Sequence, residues 1–440
     1  MLDPRYGDAW AEFAASGAAI QDRERFLTSL YRSNFPHVFP PPVFSADSVT
    51  EVATLGVTLA RLIAELPTRV FADDLTAWMD FLGVPPADRE LLVPAIGHSR
   101  LRRAATTFIR PDLISTTDGL KAVEINVSAP IGGMNTHDPY VTAFNRSEYG
   151  RFLESRGLAP VAPDMSGAWL AGFGGLLRTS GETGQHVFEG VANPADIDSG
   201  RRFFVEMLRS GGYDVSSGLM SELEVTDSGV LHAGRTVDVV FTMYTWHETK
   251  KFVPPSLTRS LIELDAAGLV DFVGSPASAL FDNKANLELL TDHQFDACFT
   301  EEERAVLRRH VPATFRLTPN TLDRALTNQT RLVCKPASAY GGRDIVFGAD
   351  TTTDTWRSTV ENRLRDSTER YVCQERITPA VAYHDPAAPD GVEVCFGPMI
   401  YGSSYAGTLV RQVPAKRAAV INVTQGAEAS VMLCGTPMHT

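Results

Sequence analysis

The sequence predicts an α/β chain with a helical N-terminal region, and three observations predict it. Apolar residues in the first hundred positions recur at helical spacing. Residues from about 185 to 280 alternate short apolar runs with amphipathic ones, the pattern of a small parallel-sheet unit. Strand-like runs flank the segment Arg110 to Asn126 and return from Arg331 to Cys434.

Taken in order, Ser48 and Glu51 have the spacing of a capping box. Val52, Leu55, Leu59, Leu62 and Leu66 then mark one helical face, and Pro67 is expected to end it. Two runs follow, separated by Thr117-Asp118-Gly119, which reads as a hairpin turn. Ser128 to Asp138 is expected to be a Gly-containing loop. In the middle, His186–Val191, Val237–Thr245 and Val270–Gly274 read as buried strands. Ser199–Ser210 reads as a helix stopped by Gly211-Gly212. No GxGxxG follows the first of these strands, so dinucleotide binding is not assigned. Phe281–Leu290 opens another helix carrying Lys284, LVCKP (332–336) is a strand carrying Lys335, and Tyr371–Ile377 is a strand ending in Gln374-Glu375. The Pro- and Asp-rich stretch 377–391 is the clearest expected loop, and AAVINVT (418–424) reads as a strand.

The chain has 440 residues, enough for two or three packed units, and 44% hydrophobic content, ordinary for a globular protein. A formal net charge of −13 without any long basic run argues against nucleic acid or an anionic membrane as partner. The start, MLDPRYGDAW, lacks the basic head and apolar core of a secretory leader, and no apolar run has the length of a membrane span. The five cysteines are scattered without a CxxC pair, which disfavours structural zinc or a disulfide framework. A cytoplasmic protein is expected.

Two constellations carry chemistry. In the first, Arg110 and Asp112 sit two apart, as do Glu124 and Asn126. Residues i and i+2 of a strand share a face, so a hairpin would gather three oxygen ligands and one guanidinium. Asp112, Glu124 and Asn126 are hard donors of the kind Mg²⁺ takes when substrate phosphates complete its shell. Ser128, His137 and Asp138, in the loop leaving that hairpin, are candidates for substrate contact. In the second constellation, Lys335 precedes Tyr340-Gly341-Gly342-Arg343. A strand lysine offers a point charge to phosphate, and glycines let backbone N–H groups approach it. The sequence is not a Walker A loop.

The order RxD…ExN, alternating middle, NK, strand lysine, YGGR and YVCQE resembles the circularly permuted ATP-grasp proteins, among them the glutathionylspermidine synthase-like amide ligases. The resemblance covers roughly residues 105 to 430. The helical region at 1–104 has no counterpart in it; the resemblance implies metal-binding strands at 105–180 and a Rossmann-like unit at 181–280. A nucleotide-binding lobe at 281–380 and a C-terminal lobe at 381–440 would complete the chain. By position, Asp112, Glu124 and Asn126 would bind Mg²⁺, and Lys284 and Lys335 would hold ATP phosphates. Tyr340 to Arg343 would form a lid, and Gln374, Glu375 and Ile377 an adenine hinge. Arg110, with Arg411 as a further candidate, would steady the transferring phosphoryl group and the acyl phosphate. The implied activity is ATP-dependent joining of a carboxylate to an amine, both small molecules or peptides, in a protein that is often a homodimer. A carboxylate–thiol ligase, a small-molecule kinase and a non-catalytic nucleotide-binding protein are the alternatives. The amidase half fused to some of these synthases is absent, and no motif identifies either substrate. Glu393 and His137 are weak candidates for the base that deprotonates the amine.

Overall fold

The computed structural model describes the chain except residues 31–34, 129–130, 180–183, 197–200, 340, 367, 386–387, 417–419 and 436–440. Short helices lead into α1 (Ala46–Phe71), where Val52, Leu55, Leu59, Leu62 and Leu66 are all buried as expected. Both ends of α1 differ from expectation. Ser45 is the N-cap, its side chain accepting from the Ser48 N–H, so the helix starts before the proposed capping box. Pro67 lies inside the helix, which runs another turn to a left-handed Ala72. A proline forfeits one backbone donor without stopping the chain behind it, and packing of Leu62, Ile63 and Leu66 holds the segment helical.

The predicted hairpin forms from β1 (Phe108–Thr116) and β2 (Gly119–Val127), with Gly119 at φ +96° in the turn. The expected loop 128–138 is shorter: α2 (Met134–Arg146) begins within it and carries His137 and Asp138. Then come β3 (His186–Val191), α3 (Arg201–Ser210), β4 (Asp214–Leu219), β5 (Val239–Thr242), α4 (Pro255–Ala266) and β6 (Asp271–Val273). These strands make an all-parallel sheet in the order β6-β5-β3-β4. The segment 281–290 is not one helix: Lys284 sits in a turn between short helices Ser278–Phe281 and Asn286–Thr291.

A second sheet, wholly antiparallel, contains β7 (Thr314–Arg316), β8 (Leu332–Pro336), β9 (Val346–Phe347) and, after the helix α5 (Thr353–Arg365), β10 (Tyr371–Glu375). Its order is β7-β10-β8-β9. The stretch expected to be the clearest loop instead holds β11 (Val381–Asp385) and the start of β12 (Ala388–Tyr401), followed by β13 (Ser404–Pro414) and β14 (Glu428–Val431). Pairing overrides Asp385 of β11 and Pro389 and Asp390 of β12, and the register is shifted along that pair. In contrast, 420–422 of the run read as a strand is irregular and leads into a short 3-10 turn.

β12 joins the N-terminal hairpin, so one antiparallel sheet runs β14-β13-β12-β1-β2 with β11 on the side of β12. It is assembled from chain on both sides of the parallel unit and the lysine-bearing sheet. Helix α1 packs on its β12, β13 and β1 strands. Gly56 of α1 leaves space for Pro398: a Cβ there would come within 2.9 Å of that ring. No described helix is long and apolar enough to cross a membrane.

Candidate active site

The register of the hairpin sets the site. Arg110 is the cross-strand partner of Asn126, and Asp112 of Glu124, with a bulge immediately after Asp112. Directly opposed side chains on one face lie about 5 Å apart at Cβ. All four residues singled out from their spacing are therefore neighbours. Arg110 Nε donates to Asp112 Oδ1 at 3.1 Å, and its Nη1 donates to the Gly132 carbonyl. The Arg110 side chain crosses Gly397 of β12, where a Cβ would lie 2.8 Å from its Cδ. Glycine at that position is thus a steric requirement.

Arg411 on β13 grips Asp112 with both terminal nitrogens, at 2.7 and 3.1 Å. Burial would raise the Asp112 carboxyl, but Arg411 and then Arg110 outweigh it and hold it well below the usual range. Arg411 itself is raised: its burial is overcome chiefly by Asp112. Its Nη2 also donates to Cys395 Sγ at 3.3 Å.

The lysines arrive from the other sheet. Lys335, central in β8, is buried, and its Nζ donates to the Val123 carbonyl at 2.7 Å and to Gln374 Oε1 at 2.9 Å. Burial lowers its pKa to about 8 against the opposing pull of Glu124. Lys284 Nζ pairs with Glu124 Oε1 at 2.8 Å and donates to the Ala339 carbonyl at 2.7 Å. Burial opposes its charge, yet Glu124 and Asp282 leave its pKa raised. Asp282, which sequence reasoning missed, also anchors the hairpin by accepting the Val127 N–H at 2.8 Å.

A cavity between the two antiparallel sheets collects these groups. Asp112, Glu124, Lys335, Gly342, Gln374, Glu375, Ile377 and Arg411 all line it. Apolar walls come from Val333, Ile345, Phe347 and Ile421. Val420 and Asn422 line it as well, and 420–422 were missed as site residues because the run was read as an ordinary strand. Gly341 and Gly342 take positive φ, +73° and +71°, so a side chain there would be strained. The Gly341 carbonyl accepts from Thr424 at 3.1 Å, and Arg343 is exposed. Tyr340 lies outside the described residues.

Arg110, Asn126, Lys284, Gly341 and Arg343 are not in the cavity lining, although Arg110 and Lys284 pair with its carboxylates, and neither are Ser128, His137, Asp138 and Glu393. His137 is fully buried in α2, bonded through Nδ1 to Asp138 Oδ1 at 2.7 Å. Asp138 in turn accepts the Ser166 N–H and holds a helix junction, so this pair is structural. Ser128 is buried, its N–H bonded to the Phe108 carbonyl at 3.2 Å. Glu393 accepts the Lys416 N–H at 3.3 Å and does not line the cavity.

A divalent cation fits the donor set. Asn126 uses its Nδ2 on the Arg110 carbonyl, which leaves the amide oxygen available. Among the described residues Asp112 Oδ2 accepts from Arg411 alone, and Glu124 meets Lys284 through Oε1. Among the described residues no three His, Cys, Asp or Glu side chains gather, so such an ion would depend on Asn126 and on ligand oxygens as well.

No family model matches the sequence, and no curated protein matches it. Among solved structures, a glutathione synthetase-like effector (GSS30) from Globodera pallida, in apo form, is similar at TM-score 0.55. It is 13% identical, over 95% of this chain and 97% of that one. A putative gamma-glutamylcysteine synthetase from Methylobacillus flagellatus aligns at TM-score 0.48 and 10% identity, over 90% of each chain. D-alanyl-alanine synthetase A from Vibrio cholerae aligns at TM-score 0.31 and 11% identity, over 58% of this chain and 88% of that one. The fold is mixed α/β and is shared with the Globodera pallida protein.

Proposed function

We propose that the protein is an ATP-dependent carboxylate–amine ligase that works through an acyl phosphate and releases ADP and phosphate. One observation carries the reading. Glu124 of the hairpin and Lys335 share one cavity between two antiparallel sheets, and Lys284 pairs with that Glu124, although the three are far apart in sequence. Lys335 and Arg411 line it beside Asp112 and Glu124, and Arg110 and Lys284 pair with those carboxylates from outside the lining. Buried cations set beside hard carboxylates suit a polyphosphate with its counter-ion. Asp282 and Glu369 also act on Lys284, but they line a different hollow.

A carboxylate and a terminal phosphate repel each other, and both must be neutralised before in-line attack. Mg²⁺ held by Asp112, Glu124 and Asn126 would supply Lewis-acid charge neutralisation at the phosphates. Lys284 and Lys335 would exchange Glu124, Gln374 and backbone carbonyls for phosphate oxygens. Arg110 holds Asp112 through Nε and the Gly132 carbonyl through Nη1, and its Nη2 would meet the new acyl phosphate. Arg411 is better suited to fixing Asp112 than to meeting substrate, since both terminal nitrogens are engaged. Gly341 to Arg343 would close over the phosphates and exclude water from the acyl phosphate. The apolar slot of Val333, Ile345, Phe347, Ile377 and Ile421 would take the adenine ring, with Glu375 at its rim. Gln374 serves Lys335 instead of the base.

In this reading the hairpin-first chain order is a circular permutation, and the parallel sheet is a Rossmann-like substrate unit, as in glutathionylspermidine synthase-like ligases. The substrates are a small or peptide carboxylate and an amine, met in the cytoplasm by a protein that is a homodimer. The test measures ADP and phosphate release with Mg²⁺ and ATP across a panel of carboxylic acids, with and without pooled amines. Turnover that requires both an acid and an amine is expected. Turnover on an acid alone, with a stable phosphorylated product, would replace the ligase with a kinase.

A further inference from the structure

The lysine-bearing sheet has a second face. Opposite the cavity, β8 and β10 pack on Trp356 and Val360 of α5, and two thiols meet there. Cys334 and Cys373 are direct cross-strand partners, both fully buried and both free. Antiparallel partners hold their Cα atoms about 4.5–5.5 Å apart, inside the window of about 4.4–6.8 Å that a disulfide requires. Cys373 across the strand pair and Arg363, whose Nη1 donates to the Cys334 carbonyl at 2.7 Å, lower the Cys334 thiol from its ordinary value despite burial. Cys373 is pushed the other way, first by Cys334. Beside the guanidinium, Cys334 is the sulfur favoured as thiolate, and Cys373, directly across the strands, is placed to resolve it. Cys395, beside Arg411, is pushed up to about 12 by burial and is inert by comparison.

We propose that Cys334 and Cys373 form an oxidation site that closes to a cross-strand disulfide when the protein meets a hydroperoxide. The Cys334 thiolate attacks the peroxide O–O bond, giving a sulfenic acid and releasing hydroxide or alkoxide, which takes up a proton. The Cys373 sulfur then attacks the sulfenic sulfur. The S–S bond forms, the S–O bond breaks, and the departing hydroxide leaves as water with the Cys373 proton. Two electrons pass from the sulfurs to the peroxide. Access is through the sheet edge: β9, which pairs Val346 with Cys334, is only two residues long and half-buried. So short a strand opens by local fraying.

The consequence falls on the opposite face. Cys334 precedes Lys335 and Cys373 precedes Gln374, whose side chains bond at 2.9 Å. Contracting a thiol contact to an S–S bond of about 2.05 Å draws the strands together behind that pair. Oxidation thereby misplaces Lys335. This second half rests on the cavity being a nucleotide site.

The experiment uses the reduced full chain, treated with graded hydrogen peroxide, quenched with iodoacetamide and mapped by mass spectrometry. A linked peptide pair holding Cys334 and Cys373, lighter by two hydrogens and released by dithiothreitol, is expected. In Cys373→Ala, a dimedone-reactive sulfenic acid should persist on Cys334. Cys373→Ser serves as the second variant should alanine impair folding. Linkage to another cysteine, or over-oxidation of both sulfurs without linkage, overturns the site. In parallel, binding of a fluorescent ATP analogue should weaken severalfold on oxidation of the native chain and stay unchanged for Cys373→Ala. Full linkage with unchanged affinity overturns the coupling to Lys335. No binding by the reduced protein overturns the nucleotide reading, while the mass data still decide the disulfide.

Discussion

Two buried ionic clusters occupy this molecule, built from similar residues and doing different work. One lies where helix Ser99–Thr106 meets the parallel sheet. Asp265 of α4 is wholly buried and receives Arg100 through Nε at 3.0 Å and Arg178 through Nη2 at 3.0 Å, and it accepts the Phe272 N–H at 2.7 Å. Asp271 receives Arg178 as well, and spare guanidinium nitrogens end on the Leu176, Phe272 and Val270 carbonyls. Two arginines meet two aspartates, and every neighbour is protein. The other cluster gathers Arg110, Arg411, Lys284 and Lys335 around Asp112 and Glu124, and four of its members, Asp112, Glu124, Lys335 and Arg411, line a cavity. Matched charge closed on backbone carbonyls fastens elements together. Charge facing a cavity is open to a ligand. The chemical type of the residues does not separate the two cases; the neighbouring space does.

The comparison can be broken by mutation. Asp265→Ala strands Arg100 and should cost about 3–5 kcal/mol of stability, read by urea unfolding. A loss below about 1 kcal/mol would remove the fastening role. Glu124→Gln should reverse the pattern. ADP formation should fall about 100-fold or more, as when a charge-stabilising group is removed from a reacting site, while the unfolding midpoint barely moves. Equal damage to stability would make the two clusters alike.

The Lys335 ammonium offers a pH test. Burial places its pKa at about 8, so it is mostly charged at pH 7 and loses its charge as pH rises past 8. ATP affinity should therefore fall between pH 7 and 9, by up to about tenfold for one lost phosphate contact worth roughly 1.4 kcal/mol. Titration calorimetry of native protein against Lys335→Arg, which keeps its charge, would show the slope vanish in the variant. The smallest effect is expected at Gly397→Ala, which pushes Arg110 aside without removing any charge. A fall in kcat of about tenfold, with KM for ATP unchanged, would sharpen the assignment of Arg110 to the reacting end of the cavity.

Why the sequence revealed one cluster and not the other follows from spacing. Arg110, Asp112, Glu124 and Asn126 lie at i, i+2 positions on two strands joined by a tight turn, so local geometry alone brings them together. Lys335 and Gln374 were legible because each sits in an apolar strand that tolerates a polar group only for a reason. Asp265 and Asp282 sit in helical and turn segments where an acid is unremarkable, and only tertiary contact discloses them. His137 and Asp138 were misplaced because a Gly-Gly pair was taken to extend a loop. Met134 instead starts a helix whose Tyr140 and Phe144 are fully buried. The stretch 377–391 failed for the opposite reason: partner strands rescued residues with poor strand propensity.

The Asp112–Arg411 ion pair joins residues 299 positions apart. During synthesis, the hairpin leaves the ribosome long before β12 exists. At about 5–20 residues per second, strand β1 waits on the order of 15 to 60 s with its outer edge unpaired. A bare strand edge is a template for foreign pairing. Any chain broken before residue 388 carries that edge permanently, together with Asp112 stripped of Arg411. Yield in a cell should then depend on chaperone supply during that interval more than on the stability of the finished protein.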